Sequence, residues 1–369
     1  MILQRLNALN FKNIEEASLE LSPKINCFLG DNGMGKSNLL DALYFLSFCK
    51  SFTGVNDNLL IRKGQDFAML KGIYQRRGID EELYAGLRQG RRKSFKRAGK
   101  EYKRIAEHIG LFPLVILSPA DMSLISGEPS ERRRFIDQIA SQSDSKYLDA
   151  LIRYNSAMEQ RNKLLKDECI DDSLFEILEM QMDNSGLYII QRRQETIDRL
   201  SALFQKYYPL IAGDREKATI SYQRSITEGR LADILATKRE RDKILHYTGS
   251  GPHRDDIDMT LDGLPVRRCA SQGQTKTFTS ALRFAQYELL KESLGIRPLL
   301  LLDDIFDKLD AKRVASIMEL VGGEKGFGQI FITDTNRRHL DEIVANIPHS
   351  PHSLWNVKDG VFTQIATHP

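Results

Sequence analysis

Residues 30–37, Gly30-Asp31-Asn32-Gly33-Met34-Gly35-Lys36-Ser37, fit the phosphate-loop pattern G-x-x-x-x-G-K-[ST], which narrows what this chain can fold into more than any other stretch. Just before the loop, Ile25, Cys27, Phe28 and Leu29 read as a short buried strand. Just after it, Asn38 to Phe48 is apolar enough for a helix buried on most sides. Glycines let the backbone wrap closely, so consecutive N–H groups and the helix N-terminus can face an anion. Lys36 would then reach the β- and γ-phosphates, and the Ser37 hydroxyl would hold Mg²⁺. The competing reading is a glycine turn that fits by chance, as the four fixed positions do in roughly 1% of chains this long. The flanking strand and helix lower that share further.

A second apolar strand supplies the acids that such a loop needs. Pro298-Leu299-Leu300-Leu301-Leu302-Asp303-Asp304 ends in two carboxylates, the Walker B arrangement. Asp303 would bind Mg²⁺ beside Ser37, and Asp304 would orient or deprotonate the attacking water. The strand at 329–335 also ends in polar residues, Thr333, Asp334 and Thr335. Ligands bind at the carboxyl ends of strands in such sheets. Ser271-Gln272-Gly273-Gln274-Thr275-Lys276 opens a helix, a second anion-binding end that is a weak signal alone.

Around these segments the pattern changes character. Residues 2–10 and 16–21 alternate apolar and polar side chains, as strands of a half-exposed sheet do. Phe67–Gln75, Glu81–Leu87, Arg92–Lys96 and Glu101–Ile105 continue as strands, and Leu111–Leu117 is a buried one. From Ile136 the period is helical. Ile136 to Leu165 and Leu174 to Leu203 suggest two antiparallel helices, the first open to a break at 141–145, with Ser130 as a helix cap. A strand at 218–223 and a third helical stretch at 225–246 follow. Residues 135–246 thus read as a mostly helical insertion in an α/β domain.

Net charge is only +3, but nine of the seventeen residues in 88–104 are Lys or Arg against one Glu101. The segment carries +8 and the rest of the chain −5, so the asymmetry matters more than the total. Arg91, Arg92, Lys93, Lys96, Arg97, Lys100, Lys103 and Arg104 are the candidate contacts to a polyanion. The alternative is a solvated hairpin edge, since lysines blunt exposed strands. The four cysteines, Cys27, Cys49, Cys169 and Cys269, are far apart, which argues for a reducing compartment. Charges come too early in the chain for a signal peptide, and no apolar run nears the ~20 residues of a membrane span. A cytoplasmic protein is expected.

In this order the pieces resemble an ABC-type P-loop ATPase head of the SMC-like group, and within it the RecF family. The most specific matches are residues 30–38, Ser130–Asp137 (SERRRFID), Gly251–Asp256 (GPHRDD), Ser271–Lys276 (SQGQTK) and Leu301–Asp310 (LLDDIFDKLD). The resemblance implies an α/β head over 1–134 and 247–369, with a β-rich subdomain at about 67–105 and a helical arm lobe over 135–246. It implies ATP and Mg²⁺ as cofactors, held by Gly30 to Asn38. Lys12 and Asn13 would lie near the nucleotide. Ser271, Gly273 and Gln274 of one copy would meet the γ-phosphate held by Lys36 of another, in an ATP-dependent homodimer. Asp310 would lie at that interface, and Thr333 would take the switch position. Where ABC heads usually have Glu, this chain has Asp304, shorter by a methylene, which fits a slow, switch-like, DNA-dependent ATPase. Double-stranded or gapped DNA is the implied ligand. RecR and RecO are the implied partners, with RecA downstream. A transporter nucleotide-binding subunit and a static SMC-like head are the alternatives.

Overall fold

The computed structural model describes residues 1–168, 171–213, 216–306, 311–322, 326–337, 339, 341 and 351–368. The chain forms two compact units, Met1–Asp121 with Gln286–Pro369, and Met122–Ala285. The first unit begins with β1 (Ile2–Phe11), β2 (Ile14–Glu20), β3 (Ile25–Leu29) and α1 (Lys36–Phe48). It continues with β4 (Phe67–Arg76), β5 (Ile79–Arg88), β6 (Ser94–Arg97), β7 (Lys100–Glu101) and β8 (Leu114–Leu117). The second unit contains α2 (Met122–Ser126), α3 (Pro129–Ser143), α4 (Ser145–Lys166), α5 (Asp172–Ala212) and β9 (Ala218–Gln223). There follow α6 (Leu231–Thr237), α7 (Arg239–Leu245), β10 (Asp256–Leu261), β11 (Leu264–Pro265), α8 (Val266–Cys269) and α9 (Gln272–Leu294), which belongs to the second unit as far as Ala285. The chain returns with β12 (Leu299–Asp303), α10 (Ala311–Gly322), β13 (Ile330–Asp334), β14 (His352–Lys358) and β15 (Val361–His368).

Two sheets build the first unit. One runs β2-β1-β4-β5-β6-β7 and is antiparallel throughout. The other runs β15-β14-β3-β13-β12-β8, parallel except for β15. Burial follows from the pairing type. The first sheet alternates buried and exposed residues, whereas β8, β12 and β13 are buried along their whole length, as parallel strands covered on both faces are. Helix α1 lies between the sheets, touching β1, β4 and β5 on one side and β8, β12 and β13 on the other. Every residue from Leu39 to Phe48 is buried as a result. The expected α/β head is present. Residues 67–105 carry β4 to β7, and β4 pairs with β1 along seven residue pairs, so these strands share the core of the head.

In the second unit α4 and α5 pack antiparallel. The register is marked by Arg161 against Glu179 and by Asp144 against Arg192. The break at 141–145 is real: α3 ends at Ser143, and the Asp144 side chain accepts from the N–H groups of Lys146 and Tyr147 to start α4. At 41 residues α5 is about 60 Å long at ~1.5 Å per residue. Three expectations are corrected. Pro129 opens α3 with Glu128 as the cap residue, so Ser130 lies inside the helix, where a proline at the first position is pre-set for helix. The stretch 225–246 is helical only from Leu231, because Ser225 is bound instead to Asp255 and to the Gly251 carbonyl. The second unit also spans 122–285 rather than 135–246.

The wider boundary has a specific cause. Arg132 makes a bidentate pair with Asp256 (2.7 and 3.0 Å), and Arg133 donates to the Asp255 carbonyl at 2.8 Å. Arg193 of α5 pairs with Asp137 at 2.8 Å and donates to the Pro252 carbonyl at 2.6 Å. The SERRRFID and GPHRDD segments are therefore the two halves of one latch, and α3 and β10 belong with the helices they hold. Among the described residues no helix is long and apolar enough to cross a membrane. Cys27, Cys49 and Cys269 are free thiols, and Cys169 lies outside the described residues.

Candidate nucleotide site and basic edge

The loop leaves β3 and enters α1 by a backbone path that only glycine follows at two points. Gly33 and Gly35 have φ of 81° and 112°. Gly30 sits so close to β14 that an added Cβ would lie 2.3 Å from the Val357 carbonyl oxygen. Helix α1 starts without a side-chain cap and without an acid in its first turn, so its terminal N–H groups and positive dipole end face the loop. Lys36 is 4% exposed, and its ammonium donates to the carbonyls of Gly30 (2.7 Å) and Asp31 (3.0 Å).

The loop is braced from outside. The Gly360 N–H donates to the Met34 carbonyl at 2.8 Å, and the Asn13 amide reaches the same oxygen at 3.3 Å. Asn38 in turn donates to Asn13 at 2.7 Å. Lys12 pairs with the buried Asp41 of α1 at 2.6 Å, and Asp41 also accepts from Ser51 and from the Phe52 N–H. In this structure Lys12, Asn13 and Asn38 hold the loop and helix in place. Asp31 and Asn32 are exposed on the loop.

The acids arrive on the neighbouring strands. Register places Asp303 beside Thr333 and Thr333 beside Phe28, so the carboxyl ends of β12, β13 and β3 lie side by side. Asp303 is 5% exposed, and its Oδ1 accepts from both Ser37 Oγ (2.9 Å) and Thr333 Oγ1 (2.7 Å). Burial raises its carboxyl above the ordinary value, while the Thr333 and Ser37 hydroxyls and the Lys36 charge pull it back. A desolvated carboxylate next to a serine hydroxyl is a hard-oxygen donor pair of the kind that fits Mg²⁺, an ion that commonly takes one or two protein ligands and completes its shell with phosphate and water. Asp304 follows in the left-handed region, φ 45°, and its N–H donates to both the carbonyl and the hydroxyl of Thr333 at 3.2 Å. Thr333 therefore holds the Asp303 carboxylate and the Asp304 backbone. Asp310 lies outside the described residues.

Two further groups stand at this end of the sheet without having been expected as site residues. Asp334 is nearly buried and accepts from the Asn336 N–H at 2.7 Å and from His339 Nδ1 at 2.9 Å. The His339 ring lies 5.6 Å from Phe306, just beyond Asp304. A polar residue closing a buried strand was the available signal for Asp334. No spacing rule reaches His339.

Ser271, Gly273 and Gln274 lie in the second unit, at the start of α9. Ser271 Oγ accepts from the Gln274 N–H (3.2 Å) and Gln274 Oε1 accepts from the Ser271 N–H (2.8 Å), a reciprocal capping box. Ser271 is exposed, and Gly273 and Gln274 are half-buried.

The basic segment is the far edge of the antiparallel sheet, ending in the two-residue strand β7. Arg91, Arg92, Lys100, Lys103 and Arg104 are exposed. Lys93 donates to the Cys49 carbonyl (2.6 Å) and pairs with Asp57 (2.9 Å), Arg97 pairs with Glu81 (2.6 Å), and Lys96 lies 5.7 Å over the Tyr84 ring. Phe95 is buried against Phe45, Tyr102 and His108, so it belongs to the core.

Comparison with known proteins gives the family and the fold. The family described as RecF/RecN/SMC N terminal domain matches residues 2–350. A protein of Parabacteroides distasonis named DNA replication and repair protein RecF is 50% identical over 360 residues, covering 98% of both chains. The protein of the same name from Bacteroides fragilis is 47% identical over 367 residues, 99% of each. A solved structure of the recombination mediator protein RecF with ATP, in the RecFOR pathway, superposes with a TM-score of 0.87 at 29% identity, covering 98% of this chain and 99% of the other. The Smc head domain of Pyrococcus furiosus shares the fold, with a TM-score of 0.57 at 18% identity over 99% of this chain and 96% of that one.

Proposed function

The chain belongs to the RecF family, and from that premise we propose that it is a slow, DNA-dependent ATPase of DNA replication and recombinational repair that closes as a dimer on ATP. The observation that carries this reading is Asp303, a buried carboxylate whose one oxygen is shared by Ser37 of the phosphate loop and Thr333 of the next strand. In the proposed mechanism the N–H groups of Gly33 to Ser37 and the N-terminus of α1 hold the phosphates. Lys36 exchanges the carbonyls of Gly30 and Asp31 for the β- and γ-phosphate oxygens. Ser37 and Asp303 would hold Mg²⁺, which supplies charge neutralisation between the phosphates. Asp304, fixed through Thr333, orients the attacking water. Its side chain, shorter than that of Glu by a methylene, gives slow turnover.

The γ-phosphate is the switch. In the proposed dimer it is bound by Lys36 of one copy and by Ser271, Gly273 and Gln274 of the other, with Asp310 at the same interface. ATP closes the pair and hydrolysis releases it. The exposed cations Arg91, Arg92, Lys100, Lys103 and Arg104 then contact the backbone of duplex DNA at a gap or junction, with affinity carried by phosphate contacts. The solved relative described as a recombination mediator in the RecFOR pathway supports RecO and RecR as partners; in the proposed cycle the protein acts with them in the cytoplasm, ahead of recombinase loading.

The test is binding to a gapped duplex without nucleotide and with ADP, ATP or a non-hydrolysable ATP analogue, with molecular mass recorded in parallel. ATP and the analogue are expected to drive both dimerisation and DNA binding, and ADP neither. Equal binding in all four conditions overturns the ATP-coupled clamp.

A further inference from the structure

Gln274 does more than close a capping box. Its amide has two unlike ends, and only one orientation lets Oε1 accept from the Ser271 N–H. The other end, Nε2, donates to Glu216 Oε1 at 2.7 Å. The second oxygen of Glu216 accepts from the Tyr208 hydroxyl, also at 2.7 Å. Tyr208 is buried near the C-terminus of α5, where its ring and that of Phe204 pack on Phe278, nearly two turns into α9, at 5.9 and 4.7 Å. A chain of three side chains thus runs from the end of the long arm helix to the start of α9, all within the second unit.

We propose that Glu216 is a positioning residue for the signature segment: by accepting from Gln274 Nε2 it fixes the amide orientation that presents Ser271 to the γ-phosphate of a partner copy's ATP. The proposal rests on the ATP-sandwich reading above and adds a residue outside every motif. The physical argument is one of orientation. An acceptor-only carboxylate at Nε2 excludes the flipped amide, because the flip would set oxygen against oxygen at Glu216 and N–H against N–H at Ser271. A hydrogen bond to an ionised acceptor is also about twice as strong as a neutral one. Without Glu216 the amide samples both orientations, and the Ser271 N–H loses its fixed acceptor, which loosens the turn that carries the hydroxyl. The second oxygen ties the same carboxylate to Tyr208, so a displacement of the end of α5 reaches the signature through one residue.

The experiment compares the wild type with Glu216→Ala, Glu216→Gln and Tyr208→Phe. ATP affinity of the monomer is measured by titration, the ATP-dependent dimer dissociation constant by sedimentation, and the melting temperature by scanning fluorimetry. Glu216→Ala is expected to bind ATP as a monomer within about twofold of wild type. Its dimerisation is expected to weaken about tenfold per signature, or about 100-fold for a dimer with two of them; tenfold corresponds to about 1.4 kcal/mol. Glu216→Gln keeps an acceptor oxygen for Gln274 and should recover most of the dimerisation, a rescue that a general loss of packing does not produce. Tyr208→Phe should fall between them. If Glu216→Ala does not fold, Glu216→Met, which keeps the length of the side chain and removes the acceptor, replaces it and should show the same loss. A wild type that dimerises on ATP alongside an equally competent Glu216→Ala or Glu216→Met overturns the role of Glu216 alone. A wild type that stays monomeric with ATP overturns the sandwich reading, and the role of Glu216 with it.

Discussion

His108 shows how a single buried side chain sets a measurable property. Its Nε2 donates to the Leu46 carbonyl at 2.7 Å and its Nδ1 accepts from the Tyr102 hydroxyl at 2.9 Å, a pattern that one neutral tautomer satisfies completely. The ring is stacked on Phe112, 5.5 Å away, and burial pushes its pKa down to about 4. A histidine held neutral in the fold binds a proton only on unfolding. Its contribution is complete above the unfolded value near 6.5 and is lost as pH falls toward 4. The expected cost at pH 5 is about 2 kcal/mol relative to pH 7. Urea unfolding at the two pH values measures it. His108→Gln, which does not titrate, should lose about that much of the difference, and an unchanged difference removes His108 as the cause.

At the scale of elements, the basic edge separates into two classes of side chain. Lys93 and Arg97 are tied to Asp57 and Glu81, so they fasten the edge of the sheet. Arg91, Arg92 and Lys100 project from it, exposed. Replacing those three with Glu should weaken DNA binding more than tenfold at low salt. It should also reduce the slope of log affinity against log salt by about 2 to 3, because each phosphate contact contributes close to 0.9. Arg97→Ala should lower the melting temperature and leave that slope alone. A wild-type slope in the triple variant would mean that the charge only protects the strand edge from pairing with other chains.

At the scale of the whole molecule, ATP has two separable jobs in the proposed cycle, closing the dimer and timing its release. Ser271→Arg fills the trans contact with a bulky cation. Monomers should still bind ATP through residues 30–37, while light scattering should find no ATP-driven dimer. Asp304→Asn keeps the shape at the end of β12 and removes the carboxylate. It should still dimerise and bind DNA with ATP, but its residence time on DNA should lengthen at least tenfold. A static head that holds ATP as a structural ligand would have the same residence time with either residue, so single-molecule dwell times decide between the two.

Much of this protein was legible from sequence where the requirement is local. Positive φ at Gly33 and Gly35 calls for glycine at those places, and continuous apolar runs at 299–302 and 330–332 are what strands buried on both faces need. Those demands act within a few residues, so the phosphate loop, the acid-ended strand and the head fold could be read directly. What tertiary structure alone decided joins residues far apart in the chain. Thr333 holds the Asp303 carboxylate and the Asp304 backbone from the next strand, Lys12 is drawn to Asp41, Lys93 turns inward to the Cys49 carbonyl, and Arg132 meets Asp256 across 124 positions. The extent of the second unit followed from that last pairing and not from where the helical period begins. Such partners are selected by which buried polar groups packing brings within hydrogen-bond distance, and neither residue of a pair carries a mark of the other in its own neighbourhood.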